Sequence, residues 1–482
     1  MKRTILLLVA FFGFAAPAHA GGPFMLIGTA DDVVMTADAS LTQAQMDLLK
    51  LAGMETVRVT TFWKPGQTEL PTGDAAILKN VVDAAKIDGV RVMVTVMHVG
   101  SRTTPLTPQA QQEFASWAAD LAKRFPTIRD FIIGNEPNLN RFWLPQFDPL
   151  NGADVAAPAY VQLLATTYDA IKAVRPFTTV YGGALAPRGI DRPNTGRDTH
   201  SPTQFIRDMG VAYRASGRQV PIMDAFTIHP YADNSSQSPD FAHPNSTPIG
   251  VADYDKLVAL LGEAFDGTAQ RGSTLGILYD EFGVETTIPA GKAGIYKGNE
   301  PATTKPVDDA TQAAYYRKAI ELTFCQPNVL GFLTFHTVDE DQLAAWQSGL
   351  FYADGTPKTS LPLVRNAIAE SRRGIIARCS GLELTPEVDV VYPSARRLKQ
   401  RTFSLTFTCP IDCSYTVRLE RLPYSTPVAT RVGTAVGRTK TTLTFKPKRP
   451  LRPGSYRFSV QAAATVNTGP PFVTTSDPLR VR

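Results

Sequence analysis

Phe131-Ile132-Ile133-Gly134-Asn135-Glu136-Pro137-Asn138 is an apolar run that ends abruptly in an amide, a carboxylate and a proline. Proline has no N–H to give a sheet ladder. The run therefore reads as a buried strand that stops at Pro137 and presents Asn135 and Glu136 at its C-terminal end. Gly276-Ile277-Leu278-Tyr279-Asp280-Glu281-Phe282-Gly283 repeats the design, its Glu 145 positions after the first. Two strands that each deliver a Glu at their C-terminal ends place paired carboxylates across a cleft. One such group can protonate a leaving oxygen while the other attacks or activates water, as cleavage of a glycosidic bond requires. Either motif alone is cheap, since an ordinary exposed Glu after a strand looks the same. Their weight comes from the pattern around them.

That pattern is strict alternation of apolar strand and amphipathic helix. Strands are expected at 24–28, 56–62, 91–98, the run ending at Glu136, 178–185, 224–231, the run carrying Glu281, and 329–336. Helices are expected at 40–52 (capped by Ser40), 75–88, 109–124, 159–174, 203–215, 254–265, 310–324 and 361–372. Eight of each argue a (β/α)8 barrel, an α/β fold, rather than an open doubly wound sheet. The strand-to-helix loops are long after strands four to eight, and in such barrels these loops build the active site. They carry Arg141-Phe142-Trp143, the Pro/Asn/Ser-rich segment 232–248 and Tyr296. Aromatic side chains there suit sugar stacking, and packing of the loops explains any single one equally well.

Lys2 and Arg3, the apolar run 5–14 and Ala18-His19-Ala20 form a charged head, a short apolar core and a cleavage site. Residues 1–20 thus read as a secretory signal peptide, too short for a membrane span, and the chain is expected to be extracellular. Four cysteines in an exported chain favour disulfides, with three connectivities open. Cys409 and Cys413 look like a local staple, which leaves Cys325 to pair with Cys379. Helical periodicity ends after Cys379. Residues 380–482 show short alternating strands separated by turns such as Arg452-Pro453-Gly454, the pattern of an immunoglobulin- or fibronectin-like β-sandwich. This stretch holds 16 Lys/Arg against 6 Asp/Glu, whereas residues 21–379 carry about −7. A basic module thus follows an acidic catalytic half. Solubility explains the charge, and so does retention on an anionic cell-wall polymer.

The strand ends of residues 24–370 resemble those of clan A glycoside hydrolases, the retaining β-glycosidases that include family 5 cellulase-type enzymes and family 39 xylosidases. The resemblance implies that Glu136, after Asn135 on strand four, is the acid/base and Glu281 on strand seven the nucleophile. It also implies substrate-binding roles for Asn135, Arg58 on strand two, His98 ending strand three, and His229 and Tyr231 on strand six. Strand eight of the family 5 pattern ends in Trp; here Phe335 and His336 hold that place, with Trp346 ten residues on. His336 and Trp346 are therefore added to the substrate-binding set.

The physical roles fit. Arg58 and Tyr231 are donors that can hold Glu281 charged, and Asn135 can donate to a sugar 2-hydroxyl. His98 and His229 can bond hydroxyls or neighbouring carboxylates, or be satisfied structural residues. Asp280 and Glu285 rival Glu281, and strand alternation, which sets Glu281 on the face opposite Asp280, favours Glu281. The expected partner is carbohydrate, with no nucleic acid, membrane span, cofactor or metal. A catalytically silent, carbohydrate-binding barrel is the alternative. A metal-dependent hydrolase is disfavoured by the lack of clustered His/Asp ligands and of Zn-type spacing among six histidines.

Overall fold

Parallel strands β1 (Leu26–Ala30), β2 (Thr56–Trp63), β3 (Arg91–His98), β4 (Asp130–Ile133), β5 (Thr179–Leu185), β6 (Ala225–Ile228), β7 (Gly276–Phe282) and β8 (Val329–Phe335) close into a barrel in chain order. Helices α1 (Ala39–Leu51), α2 (Thr72–Asp88), α3 (Pro108–Arg124), α4 (Ala156–Val174), α5 (Pro202–Ala215), α6 (Tyr254–Phe265), α7 (Asp309–Phe324) and α8 (Leu361–Arg372) surround it. The computed structural model describes residues 21–447 and 449–482, so the expected signal peptide lies outside the described residues. No helix among them is long and apolar enough to cross a membrane.

Alternation along the strands sorts the core into two layers. Met93, Ile132, Tyr181, Ala225, Leu278 and Leu333 cluster inside the barrel. Phe131, Ile133, Ile277 and Tyr279, one residue to either side, join the apolar shell under the helices. Helix starts follow local chemistry. Thr107 and Ser201 each accept the N–H three residues on, and Pro108 and Pro202 take the first helical turn.

Three local expectations are corrected. The first strand runs 26–30 instead of 24–28, which carries Asp31 and Asp32 to its C-terminal end. Asp38, not Ser40, caps α1, its carboxylate accepting the N–H groups of Ser40 and Leu41. Strand β6 stops at Ile228 instead of 231, because the chain turns out of the sheet at His229-Pro230, where proline offers no donor.

Beyond the barrel lie β9 (Asp389–Val391), β10 (Phe403–Thr408), β11 (Cys413–Arg421), β12 (Thr426–Ala435), β13 (Lys440–Phe445), β14 (Gly454–Ala464), β15 (Phe472–Thr475) and β16 (Leu479–Val481). They form two antiparallel sheets, β13-β10-β9 and β12-β11-β14-β15, with β16 also on β14. Inward residues such as Phe403, Leu405, Val417, Phe445 and Phe458 fill the space between the sheets. Cys325–Cys379 and Cys409–Cys413 are the disulfides. The sandwich is docked rather than tethered. Leu384, Ile411 and Ala464 join the barrel's apolar shell. Arg373 forks onto Asp412 at 2.9 and 2.6 Å, and Asn467 bonds the backbone of Ala377 and Cys379. Removing the module would therefore uncover barrel surface.

Candidate active site

The C-terminal ends of the barrel strands gather the two Glu residues of the opening motifs. Gly134 leaves β4 at φ +85°, a conformation suited to glycine, and turns the chain across the barrel mouth. Tyr160 fixes this turn, donating its hydroxyl to the Ile133 carbonyl (2.7 Å) while accepting the Gly183 N–H (2.8 Å). Glu136 then sits at φ +42°, uncommon for a residue with a side chain, held by its N–H on the Ala184 carbonyl at 2.7 Å. Asn138 is fully buried and ties the loop down through the backbone of Ala186 and His200. The Asn-Glu-Pro-Asn sequence thus combines a presented carboxylate with its own anchor.

Glu281 reaches the mouth by a different device. Leu278 faces the barrel axis, Ile277 and Tyr279 face the helices, and continued alternation would send Glu281 outward with Tyr279. The β7–β8 register shifts between Tyr279 and Phe282, and this irregularity turns Glu281 into the cleft. The premise of the alternation argument, that Glu281 shares the face of Ile277 and Tyr279, therefore does not hold. Asp280 lies beside it, fully buried, and accepts hydrogen bonds from Thr227 (2.8 Å) and Arg58 (2.9 Å).

Arg58 bridges both acids, its second terminal nitrogen lying 2.7 Å from Glu281 Oε1. Tyr231 donates its hydroxyl to Glu281 Oε2 at 2.9 Å. His229 stands between the acids, Nδ1 3.0 Å from Glu136 Oε1 and 3.3 Å from Glu281 Oε2, Nε2 3.5 Å from Asp280. Burial alone would lower the His229 pKa, but Glu281 and Asp280 raise it to about 10, so the ring is a cation at neutral pH. Burial works against ionisation of Asp280 too, yet His229 and Arg58 hold its carboxyl below the usual range.

One cavity of about 270 Å³ is lined by Arg58, Asn135, Glu136, Tyr231, Glu281 and His336, with Asp31 and Asp32 at its rim. Trp346 closes it, stacked against Tyr231 (centroids 4.9 Å apart) and edge-on to Phe335 (5.2 Å). The loop after β8 thus supplies the Trp that the strand end lacks. A second cavity of about 370 Å³ shares Glu136, Tyr231 and Trp346 and continues past Arg188, Asn234 and Glu285. Burial pushes Glu285 up to about 7, but it does not take part in the Glu136–His229–Glu281 contacts.

Two expected sugar contacts are placed elsewhere. His98 is buried beneath the cavity, its Nε2 on the Phe142 carbonyl at 2.8 Å; burial lowers its pKa to about 4. His229 is also fully buried, its Nδ1 bonded to Glu136 and its Nε2 lying 3.5 Å from Asp280 without a hydrogen bond. Trp143 packs on His98 and Tyr160, and Tyr296 donates to Asp339, so both are loop packing. Asp31, Asp32 and Arg141 were missed; the strand-end logic applied to Gly28-Thr29-Ala30-Asp31-Asp32 would have found the first two.

Contrary to the expectation of no ligand cluster, Glu136, His229 and Glu281 set ligand atoms within 4.8 Å of one another. Both Glu281 oxygens are already engaged by Arg58 and Tyr231, and the guanidinium repels a cation there. This trio therefore fits carboxylate chemistry better than metal ligation.

A barrel with facing carboxylates at its mouth is the equipment of a glycoside hydrolase. Residues 20–259, just under half of the chain, match the model of cellulase (glycosyl hydrolase family 5), so the barrel is similar to that of a glycoside hydrolase. The match ends within α6, before the strand that bears Glu281. No curated protein matches the sequence. Among solved structures, GH5_18 from Streptomyces cattleya in complex with GlcNAc is 16% identical, with TM-score 0.50 over 74% of this chain and 81% of that one. A GH39 β-xylosidase from Caulobacter crescentus is 14% identical, with TM-score 0.46 over 89% and 98%. A β-glucuronidase from Bacteroides uniformis is 11% identical, with TM-score 0.46 over 96% of this chain, which spans 47% of its length. At such identities the likeness concerns the fold.

Proposed function

We propose that the protein is a secreted retaining β-glycosidase acting on an oligo- or polysaccharide, with Glu136 as acid/base and Glu281 as nucleophile. The observation that carries this reading is the unequal treatment of the two acids. Both oxygens of Glu281 take strong donors from Arg58 and Tyr231, which fix its orientation toward the cavity. Glu136 is gripped only by His229 and opens onto both cavities. Glu136 gives its proton to the leaving oxygen as the C1–O bond breaks and a Glu281 oxygen bonds C1. Water then attacks C1, its proton passes to Glu136, and the Glu281–C1 bond breaks. One oxygen of each acid lies within 4.8 Å of the other, close enough for the retaining separation of about 5–5.5 Å between carboxyl groups. Asn135, His336 and Trp346 line the sugar side, and aromatic faces suit sugar rings.

The first product of an aryl β-glycoside should be the β anomer, read by proton NMR before mutarotation. An initial α product would refute the retaining reading. A panel of aryl β-glycosides, β-glucans, mannans and xylans would show the sugar.

The basic module is proposed to retain the enzyme on an anionic cell-wall polymer. Arg401, Lys446 and Arg449 border one hollow on its surface, and Arg421, Arg431 and Arg452 border an adjoining one, with no acid in either lining. Attraction among exposed charges fades over about 8 Å at physiological ionic strength. The intact protein should therefore sediment with anionic wall material at low salt and be released at high salt. Replacing Arg401, Lys446 and Arg449 by Gln should abolish sedimentation without changing turnover on small glycosides. Equal sedimentation of the two forms at every salt concentration would leave the module a structural role only.

A further inference from the structure

Asp154, His200 and Asp208 come together on the outer wall of the barrel, at a hollow of about 1220 Å³ beside α4 and α5. They come from the loop before α4, the residue before the Ser201 cap, and the second turn of α5. No sequence spacing brings them together; the fold does. Carboxylate oxygens of Asp154 and Asp208 and a ring nitrogen of His200 all lie within 4.8 Å of one another.

The local partners leave this cluster undercompensated. Asp154 Oδ1 takes the N–H groups of Ala156 and Ala157 at 2.8 and 3.0 Å, and His200 Nε2 lies 3.4 Å from it. Asp154 Oδ2 has no partner, although the atom is buried and the side chain is only 10% exposed. Both Asp208 oxygens accept from the neutral amide of Gln204 at 3.0 Å. Among the described residues, no Lys or Arg pairs with either acid; Arg218, also on the hollow, is committed to Asp169. His200 is 1% exposed; its Nε2, 3.1 Å from the Gln146 carbonyl, carries the proton, which leaves Nδ1 as the nitrogen free to ligate. Two carboxylates packed this closely repel unless a proton or a cation joins them, and an orphaned buried oxygen is costly.

We propose that Asp154, His200 and Asp208 bind one divalent transition-metal cation, with the open side of its coordination facing the hollow. Mixed carboxylate and imidazole donors suit Zn²⁺ or Mn²⁺, whereas Mg²⁺ and Ca²⁺ prefer all-oxygen sites. The cation would brace the start of α4 to α5.

Calorimetric titration of the chelator-treated full-length protein with ZnCl2 should show one saturable site, with an accompanying rise in melting temperature. MnCl2 should compete and CaCl2 should not. Asp208→Asn should weaken Zn²⁺ binding at least tenfold and cancel the melting shift, while far-UV circular dichroism and turnover on aryl glycosides stay unchanged. Asp154→Asn should do the same, because the Asn amide oxygen can still accept the N–H groups of Ala156 and Ala157, so loss of binding is separable from loss of the helix start. Three outcomes would overturn the proposal: no saturable binding, binding unaffected by both substitutions, or binding abolished by Glu281→Gln alone, which would place the ion in the catalytic cleft.

Discussion

Glu281→Ala is expected to lower kcat/KM by about 10⁵-fold on every substrate, roughly 7 kcal/mol of lost transition-state stabilisation. No other carboxylate is placed to replace it. Asp280 is fully buried and bound to Thr227 and Arg58, and Glu285 lies in the neighbouring cavity. Glu136→Ala should behave differently. Glycosides with poor leaving groups should lose about 10²–10⁴-fold, whereas activated aryl glycosides, which need no proton to depart, should form the glycosyl-enzyme at near the normal rate. Azide separates the roles by product. It should enter the Glu281→Ala cavity on the nucleophile's face and give an α-glycosyl azide, and it should trap the intermediate of Glu136→Ala as the β-glycosyl azide. Normal rates in either variant would defeat the assignment. So would rescue of Glu285→Gln by azide, which would transfer a catalytic role to Glu285.

How much of this was legible in the sequence depended on whether the information was local. Alternating strand and helix is a local periodicity, so the barrel and its eight helix starts could be read to within a few residues. At α1 only the cap differs, because Asp38 precedes Ser40 and accepts the N–H groups of Ser40 and Leu41. Glu136 was legible because its own neighbours stop the strand and turn the chain. Glu281 was found by position, but its orientation comes from a shift in pairing with β8, which the sequence of β7 does not display. The histidines show the same limit. His98 and His229 sit at strand ends, as sugar contacts would, yet the Phe142 carbonyl and three carboxylates from distant segments engage them. Trp346 could be named but not placed until its loop folded back onto Tyr231. The Asp154–His200–Asp208 cluster has no motif at all, being made by the packing of α5 against the loop before α4.

Arg58→Met should be the most damaging change outside the two Glu residues. Arg58 is 5% exposed and holds Asp280 at 2.9 Å and Glu281 at 2.7 Å, both of them buried. Removing one partner of a buried ionic group typically costs about 3–5 kcal/mol, because the remaining charge cannot return to water. Here two carboxylates would be left with only His229 to offset them. Thermal or urea unfolding of Arg58→Met should show that loss. Because Glu281 would lose the donor on its Oε1, kcat/KM should fall on activated and unactivated glycosides alike. Arg58→Lys keeps the charge but not the fork that spans two acids, so it should recover part of the stability and little of the turnover. The double variant Arg58→Met/Asp280→Asn separates structure from catalysis. Deleting the second buried charge should restore most of the stability, since Asn can still accept from Thr227. Turnover should stay low, because Glu281 would still lack its strongest donor. If the double variant recovered turnover along with stability, Arg58 would serve only to neutralise Asp280. If Arg58→Met unfolded like the parent and kept its turnover, the ion pairs at the barrel mouth would carry neither role.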